Sequence, residues 1–275
     1  MTLDYRHILL LVTFAGGVSA TLLAPAFAQS LDYHRFADQR ALGSIPQAAD
    51  VLSNLAFVLA GIVGWWRIKA QCALPNPLSL WLKLYSLSLI ATGCGSIIYH
   101  LAPDNMSLFW DRLPMTFTFS LFFCLVLASH IGYPIAQKIL VPMIVMGTFS
   151  VLYWRMTELQ GFGDLRIYAT FQFLPLTLVV LMLFLFESRW LQKRWLVATV
   201  LAYLAAKLFE LNDETIFQLT GTISGHTLKH LIAALGAWWV IRAALTNKVH
   251  PAHNLPSPRA PDLPPNAAGN SRTGA

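Results

Sequence analysis

HTLKHLIAALGAWWVIRAALT, residues 226–246, is long and apolar enough to cross a bilayer, yet it opens with His226 and His230 one helical turn apart. A spanning helix needs about 20 mostly apolar residues. An ionisable side chain at membrane depth is costly, so it is a functional hypothesis by default. Similar apolar stretches lie at about 7–28, 50–68, 80–101, 109–130, 134–154, 167–187 and 193–209. Of the 275 residues 56% are hydrophobic and only 12% charged, and mean hydropathy is +0.56. Soluble domains carry roughly 25% charged residues, which excludes an ordinary globular protein. Lipid offers backbone groups no partners and the stretches lack period-two alternation, so helices are favoured over a barrel. The expected fold is an all-α membrane protein, a seven-transmembrane-helix bundle over 29–247. Residues 1–28 precede it as a signal peptide or an extra transmembrane helix, and a disordered tail rich in Pro and Asn follows at 248–275.

The N-terminal alternatives stay open, because Arg6, an apolar run and Ala26-Phe27-Ala28 match a cleavable signal peptide equally well. Both deliver residue 29 to the same non-cytoplasmic side, so the core is N-out and C-in. With that threading, Arg6, Arg67, Lys69, Lys83, Lys138, Arg189, Lys193, Arg194, Arg242, Lys248, Arg259 and Arg272 lie inside. Arg35, Arg40, Arg112, Arg155, Arg166, Lys207 and Lys229 lie outside. Twelve against seven agrees with the positive-inside rule. The pI near 9.4 is therefore a topology signal, and no basic stripe argues for nucleic acid. A signal-like start without a retention motif fits a bacterial inner membrane. Cys72, Cys94 and Cys124 are an odd set with no C-x-x-C, which points to packing.

Upstream, GSIIYHLAPDNMSLFWDR (residues 95–112) supplies Ser96 and His100 at the end of one apolar stretch and Asp111 at the start of the next. Helix parity puts all three on the outer side, with the start of the last helix. Ser96 and His100 are four apart, as are His226 and His230, so each pair shares a helix face. Three neutral imidazoles with a fourth position open for water are the pattern of catalytic zinc. A nearby carboxylate, Asp111, would then accept the proton of that water. Taken singly, each residue has a plainer reading. His226 and His230 could be interfacial, His100 could snorkel at a helix end, and Asp111-Arg112 could pair at the membrane surface. Ser96 in GCGS could serve close packing. Bis-histidine haem ligation fails, since histidines four apart on one helix cannot take opposite axial positions.

Other polar residues read more simply. Glu210, Asp213 and Glu214 suggest a solvated outer loop, with support of a ligand through its second ring nitrogen as the alternative. Lys229 reads as a snorkelling residue. Asp38 reads as a loop residue and Asp50 as a helix N-cap. His250 and His253 belong to the tail. Trp65, Trp66, Trp110, Trp190, Trp195, Trp238 and Trp239 fit interfacial belts.

S-x-x-x-H, an Asp eleven residues beyond that His, and H-x-x-x-H opening the last helix together resemble the alkaline ceramidase family. That family is a branch of a seven-helix membrane hydrolase superfamily that includes the adiponectin-receptor-like proteins. The resemblance spans roughly residues 30–247 and includes DVLSNLAF, GSIIYH, WDRLPM and GHTLKHLIAAL. It implies zinc on His100, His226 and His230, with Asp111 holding or deprotonating the zinc-bound water and Ser96 hydrogen-bonding beside the metal. The implied reaction is hydrolysis of the amide of a ceramide-like N-acyl sphingoid lipid, the membrane lipid substrate. Eukaryotic members carry an acidic calcium-binding segment before the first core helix. In LDYHRFADQRALGSIPQAADVLSN the corresponding position falls at Gln47, and Asp38 and Asp50 do not restore the spacing, so calcium is not carried over. Hydrolysis of another lipid ester or amide, and a receptor-like protein with a structural zinc, are the rival readings.

Overall fold

A computed structural model of the chain describes residues 4–246. It is an all-α bundle. The helices are α1 (Tyr5–Leu23), α2 (Ala48–Ser53), α3 (Leu55–Gln71), α4 (Asn76–Leu101), α5 (Asn105–His130), α6 (Tyr133–Leu159), α7 (Arg166–Leu185), α8 (Lys193–Leu211), α9 (Asp213–Thr220) and α10 (Gly225–Leu245). A short 3-10 turn at Leu31–His34 lies between α1 and α2. The tail expected to be disordered lies outside the described residues.

Seven helical spans are long and apolar enough to cross a membrane: α1, α2 with α3, α4, α5, α6, α7 and α10. The stretch read as spanning at 193–209 does not qualify alone. It qualifies together with α9, from which it bends by 78°. The physical reason is visible in its side chains, because Lys207 and Glu210 of α8 form an ion pair inside the bundle. Even so, α8 runs antiparallel along the whole of α10. Gln192 N donates to Ala243 O at 2.9 Å, Thr199 Oγ1 donates to Gly236 O at 2.9 Å, and Lys229 Nζ donates to Glu210 Oε1 at 3.1 Å.

Alternation of the helices brings one set of ends together. Glu158 at the end of α6 accepts from Gln29 N and from Asn105 Nδ2. His34 bonds Tyr99 of α4 at 2.9 Å and Asn105 of α5 at 3.0 Å. Asp213 accepts from Ala37 N at 2.9 Å. The opposite end is closed by Ser129, whose backbone oxygen accepts from Arg189 N at 2.9 Å. Outward faces carry bare apolar side chains such as Phe184, Trp66 and Leu201, a surface suited to lipid. Trp190 departs from the interfacial-belt reading, being only 5% exposed and packed in the main core.

Local sequence explains where the helices begin. Asp104 accepts from Ser107 N at 2.6 Å while Ser107 Oγ accepts from Asp104 N at 3.0 Å. This reciprocal cap starts α5 before its apolar run and so puts Asp111 within the helix. Ser224 caps α10 by accepting from Thr227 N at 3.0 Å. Gln47, at φ 45°, holds the N-cap place of α2. Asp50 is therefore not that cap. α1 packs on α7, with Thr21 and Thr170 hydroxyls hydrogen-bonded, and has no buried residue.

Candidate metal centre

Two backbone approaches bring the site together. A Cβ on Gly95 would collide with the backbone oxygen of Trp110, so the absent side chain lets α4 and α5 touch just where they carry Ser96 and Asp111. A Cβ on Gly225 would collide with the backbone oxygen of Phe209, so the start of α10 lies hard against the end of α8.

His100 from α4 and His226 and His230 from α10 meet there, exposed by only 1%, 3% and 4%. Their ring centroids form a nearly equilateral triangle with sides of 4.9, 4.9 and 4.8 Å, and each pair of rings is steeply inclined. One ligand atom from each ring lies within 4.8 Å of the others, a group that can hold a metal ion. His100 Nε2 and His226 Nε2 are 3.3 Å apart. Zinc–nitrogen bonds of about 2.0–2.1 Å in a tetrahedron put ligand nitrogens roughly 3.3–3.4 Å apart, so the spacing of this pair suits zinc.

His230 supplies a second test of fit. Ser53 Oγ donates its proton to Asp50 O at 2.9 Å and lies 2.8 Å from His230 Nδ1. Asn54 Nδ2 lies 3.3 Å from the same nitrogen, so Nδ1 is the ring nitrogen engaged by the protein and Nε2 is the one left for a ligand. That is the orientation a ligating histidine requires from its outer partner. Asn54 Nδ2 donates to the same Asp50 oxygen at 2.9 Å. The support thus comes from Ser53 and Asp50 in DVLSNLAF, not from the acidic run before the histidines. The motif was visible in the sequence, but nothing in its spacing told which ring nitrogen it would face.

The acidic residues divide by role. Asp213 Oδ1 accepts from the backbone N of His226 at 2.7 Å, while its Oδ2 holds Ala37 N. Glu210 is engaged by Lys207 at 2.6 Å and Lys229 at 3.1 Å. Glu214 is exposed and among the described residues bonds only Gln218 at 2.8 Å, so it is solvated as expected, but on α9 and not in a loop. Lys229 does not snorkel: its ammonium turns inward, 2.8 Å from His226 Nε2. The Glu210 carboxylate, 3.1 Å away, holds it there. A metal on His226 Nε2 takes the same lone pair, leaving Lys229 to Glu210.

Asp50 is fully buried and joins α2 to α10. Its Oδ1 accepts from Thr227 Oγ1 at 2.6 Å and Ser224 Oγ at 3.4 Å. Asp38 instead serves the loop, pairing with Arg40, whose Nη2 also donates to Thr222 O at 2.6 Å. The guanidinium holds the Asp38 carboxyl below its ordinary range. Phe36, from the same loop, covers the triad with its ring centroid 4.6 Å from His100 and 4.4 Å from His226.

Ser96, Asp111 and His230 line one cavity that runs into the bundle between α3, α4, α5, α7, α8 and α10. The Ser96 hydroxyl is near enough to the Asp111 carboxylate to interact with it. Deeper walls are largely apolar, with Phe119, Phe122, Phe123 and Leu176. Asp111 does not pair with Arg112, which turns away to Gln29. No protein-family model matches the chain, and no curated protein matches it either.

Proposed function

We propose that the protein is an integral-membrane zinc amidohydrolase that cleaves the amide of a ceramide-like N-acyl lipid. The observation that carries this reading is the cluster of three buried imidazoles, of which His230 lines the same largely apolar cavity as Asp111 and Ser96. His100, His226 and His230 would hold the metal. Zinc in an open three-histidine site supplies Lewis acidity and an activated water.

The remaining chemistry belongs to the chain. Asp111 takes a proton from the attacking water and returns it to the amide nitrogen as the C–N bond breaks. The acyl carbon keeps the water oxygen, so a fatty acid and a free amine leave. Ser96 fixes the Asp111 carboxylate through its hydroxyl. The cavity walls take the acyl chain, and α7 and α8 meet sparsely beside it, a natural lateral opening from the bilayer. The lysine and arginine bias supports a site at the outer leaflet, with the C-terminus cytoplasmic.

The test is metal analysis of purified protein together with release of fatty acid from long-chain N-acyl lipids in detergent. Stoichiometric zinc and turnover are expected, both lost in His100→Ala and His226→Ala. Wild-type protein that takes up no zinc from a zinc-replete buffer would rule the reading out. Bound zinc with no cleavage of any acyl amide or ester favours the receptor-like alternative.

A further inference from the structure

Arg112 follows Asp111 directly and is only 6% exposed. Among the described residues no carboxylate lies within ion-pair distance of it. Nη2 donates to Gln29 Oε1, while Nη1 has no hydrogen-bond partner. The guanidinium carbon lies 4.3 Å from the Trp154 ring centroid and 4.7 Å from that of Tyr168. Those faces attract a cation but leave its N–H groups without an acceptor. Glu158, which shares Gln29 and Trp154 as neighbours with Arg112, accepts from Gln29 N, Trp154 Nε1 and Asn105 Nδ2. Glu210 is held by two lysines.

A guanidinium stays protonated in any protein environment, and a buried charge without a counter-ion is strongly unfavourable. Arg112 also lines the cavity that holds Asp111 and His230. The charged residues of that lining are Arg112, Lys207 and Lys229 against Asp111 and Glu210. The wall therefore carries one positive charge in excess before any metal is counted. The planar, forked donor array of arginine suits carboxylate and phosphate oxygens.

We propose that Arg112 anchors an anionic group, a carboxylate or a phosphate, on the molecule that fills the cavity. The chain of that molecule lies along the phenylalanine wall, and its anion meets Arg112 next to Asp111. Combined with the hydrolase reading, on which the identity of the scissile bond rests, this narrows the amine half. The leaving amine bears an anion, as in an N-acyl amino acid or a phosphorylated N-acyl sphingoid base, in place of a neutral headgroup.

Binding tests this without turnover. The zinc-loaded full chain in neutral detergent is titrated with N-dodecanoylglycine, dodecyl phosphate and neutral N-dodecanoylethanolamine. Wild type is expected to bind at least one anionic ligand at least about tenfold more tightly than the neutral one, a gap of about 1.4 kcal/mol. The carboxylate and phosphate arms identify which anion fits. Arg112→Gln is expected to erase the preference while leaving the neutral affinity unchanged, and Arg112→Lys to retain part of it. Equal wild-type affinities for all three overturn the proposal, whether or not any variant folds. A preference that survives in folded Arg112→Gln overturns it too. Cleavage of acyl amides without any anionic preference sinks this inference alone. An Arg112-dependent preference with no cleavage sinks the hydrolase reading and leaves the anchor standing.

Discussion

Replacing Ser53 by Ala removes the shorter of two side-chain contacts to His230 Nδ1, 2.8 Å against 3.3 Å for Asn54 Nδ2, without touching a proposed ligand. The imidazole is 4% exposed, so water cannot readily take the place of the hydroxyl. A proton on Nδ1 would then lose its nearest acceptor in a buried place, at a cost of about 1–3 kcal/mol. The ring can relieve that by rotating or by moving its proton to Nε2, and either change withdraws the lone pair meant for metal. Loss of such an outer partner weakens metal sites by about 10–100-fold, which corresponds to about 1.4–2.7 kcal/mol. The assay is zinc affinity of detergent-purified protein measured against a graded series of chelators, with heat stability followed in parallel. Ser53→Thr keeps an acceptor and should hold affinity within a few-fold of wild type. A folded Ser53→Ala protein with unaltered zinc affinity would show that His230 is not oriented through this hydroxyl, and the assignment of Nε2 as its ligating atom would fall.

Other outcomes follow from the same geometry. Asp111→Asn should abolish acyl-lipid cleavage while zinc stays stoichiometric, and substantial residual turnover would remove Asp111 from the proton-transfer role. Zinc should raise the melting temperature of wild type, since a ligand that binds only the folded state stabilises it. The same addition should leave His226→Ala unmoved, and an equal rise in both would place the ion elsewhere. Gly95→Ala drives a methyl into the Trp110 carbonyl and should cost about 1–3 kcal/mol of stability, read as a lower midpoint of heat denaturation; an unchanged midpoint would show that α4 and α5 can separate freely. Asp164, in the loop after α6, is held below its ordinary value of 3.8 by Arg166. A lowered folded pKa contributes stability above the unfolded value and loses it as pH falls through the folded one. Stability should therefore decline below about pH 4, and Asp164→Asn should be less stable at neutral pH with a shallower acid limb. An identical acid limb would refute that assignment.

The helical stretches and their shared end were legible because both rest on length, hydropathy and alternation, which are written along the chain. Ser96 with His100, and His226 with His230, share helix faces that spacing alone predicts, and helix parity grouped the two pairs at one end before any coordinates. Partners across the bundle were not legible in this way. Lys229 looks like an interfacial lysine until Glu210 is seen opposite it, since a side chain's direction depends on what waits on the neighbouring helix. Asp50 carries the signature of a cap, but Gln47 already turns the chain there and Asp50 points to Thr227 instead. Polarity in α8 blurred the hydropathy of a span for the same reason that it matters, because Lys207 and Glu210 face the interior.

Asp213 has a consequence of its own. One oxygen holds the backbone of His226 and the other holds Ala37, next to the Phe36 that roofs the imidazoles. A single carboxylate thus latches roof and floor together, and linkage works in both directions. An ion bound more tightly on the floor would tighten the roof by the same factor. Proteolytic nicking of the segment around Phe36 should slow as zinc is titrated in, and clipping that segment should in turn speed release of the ion.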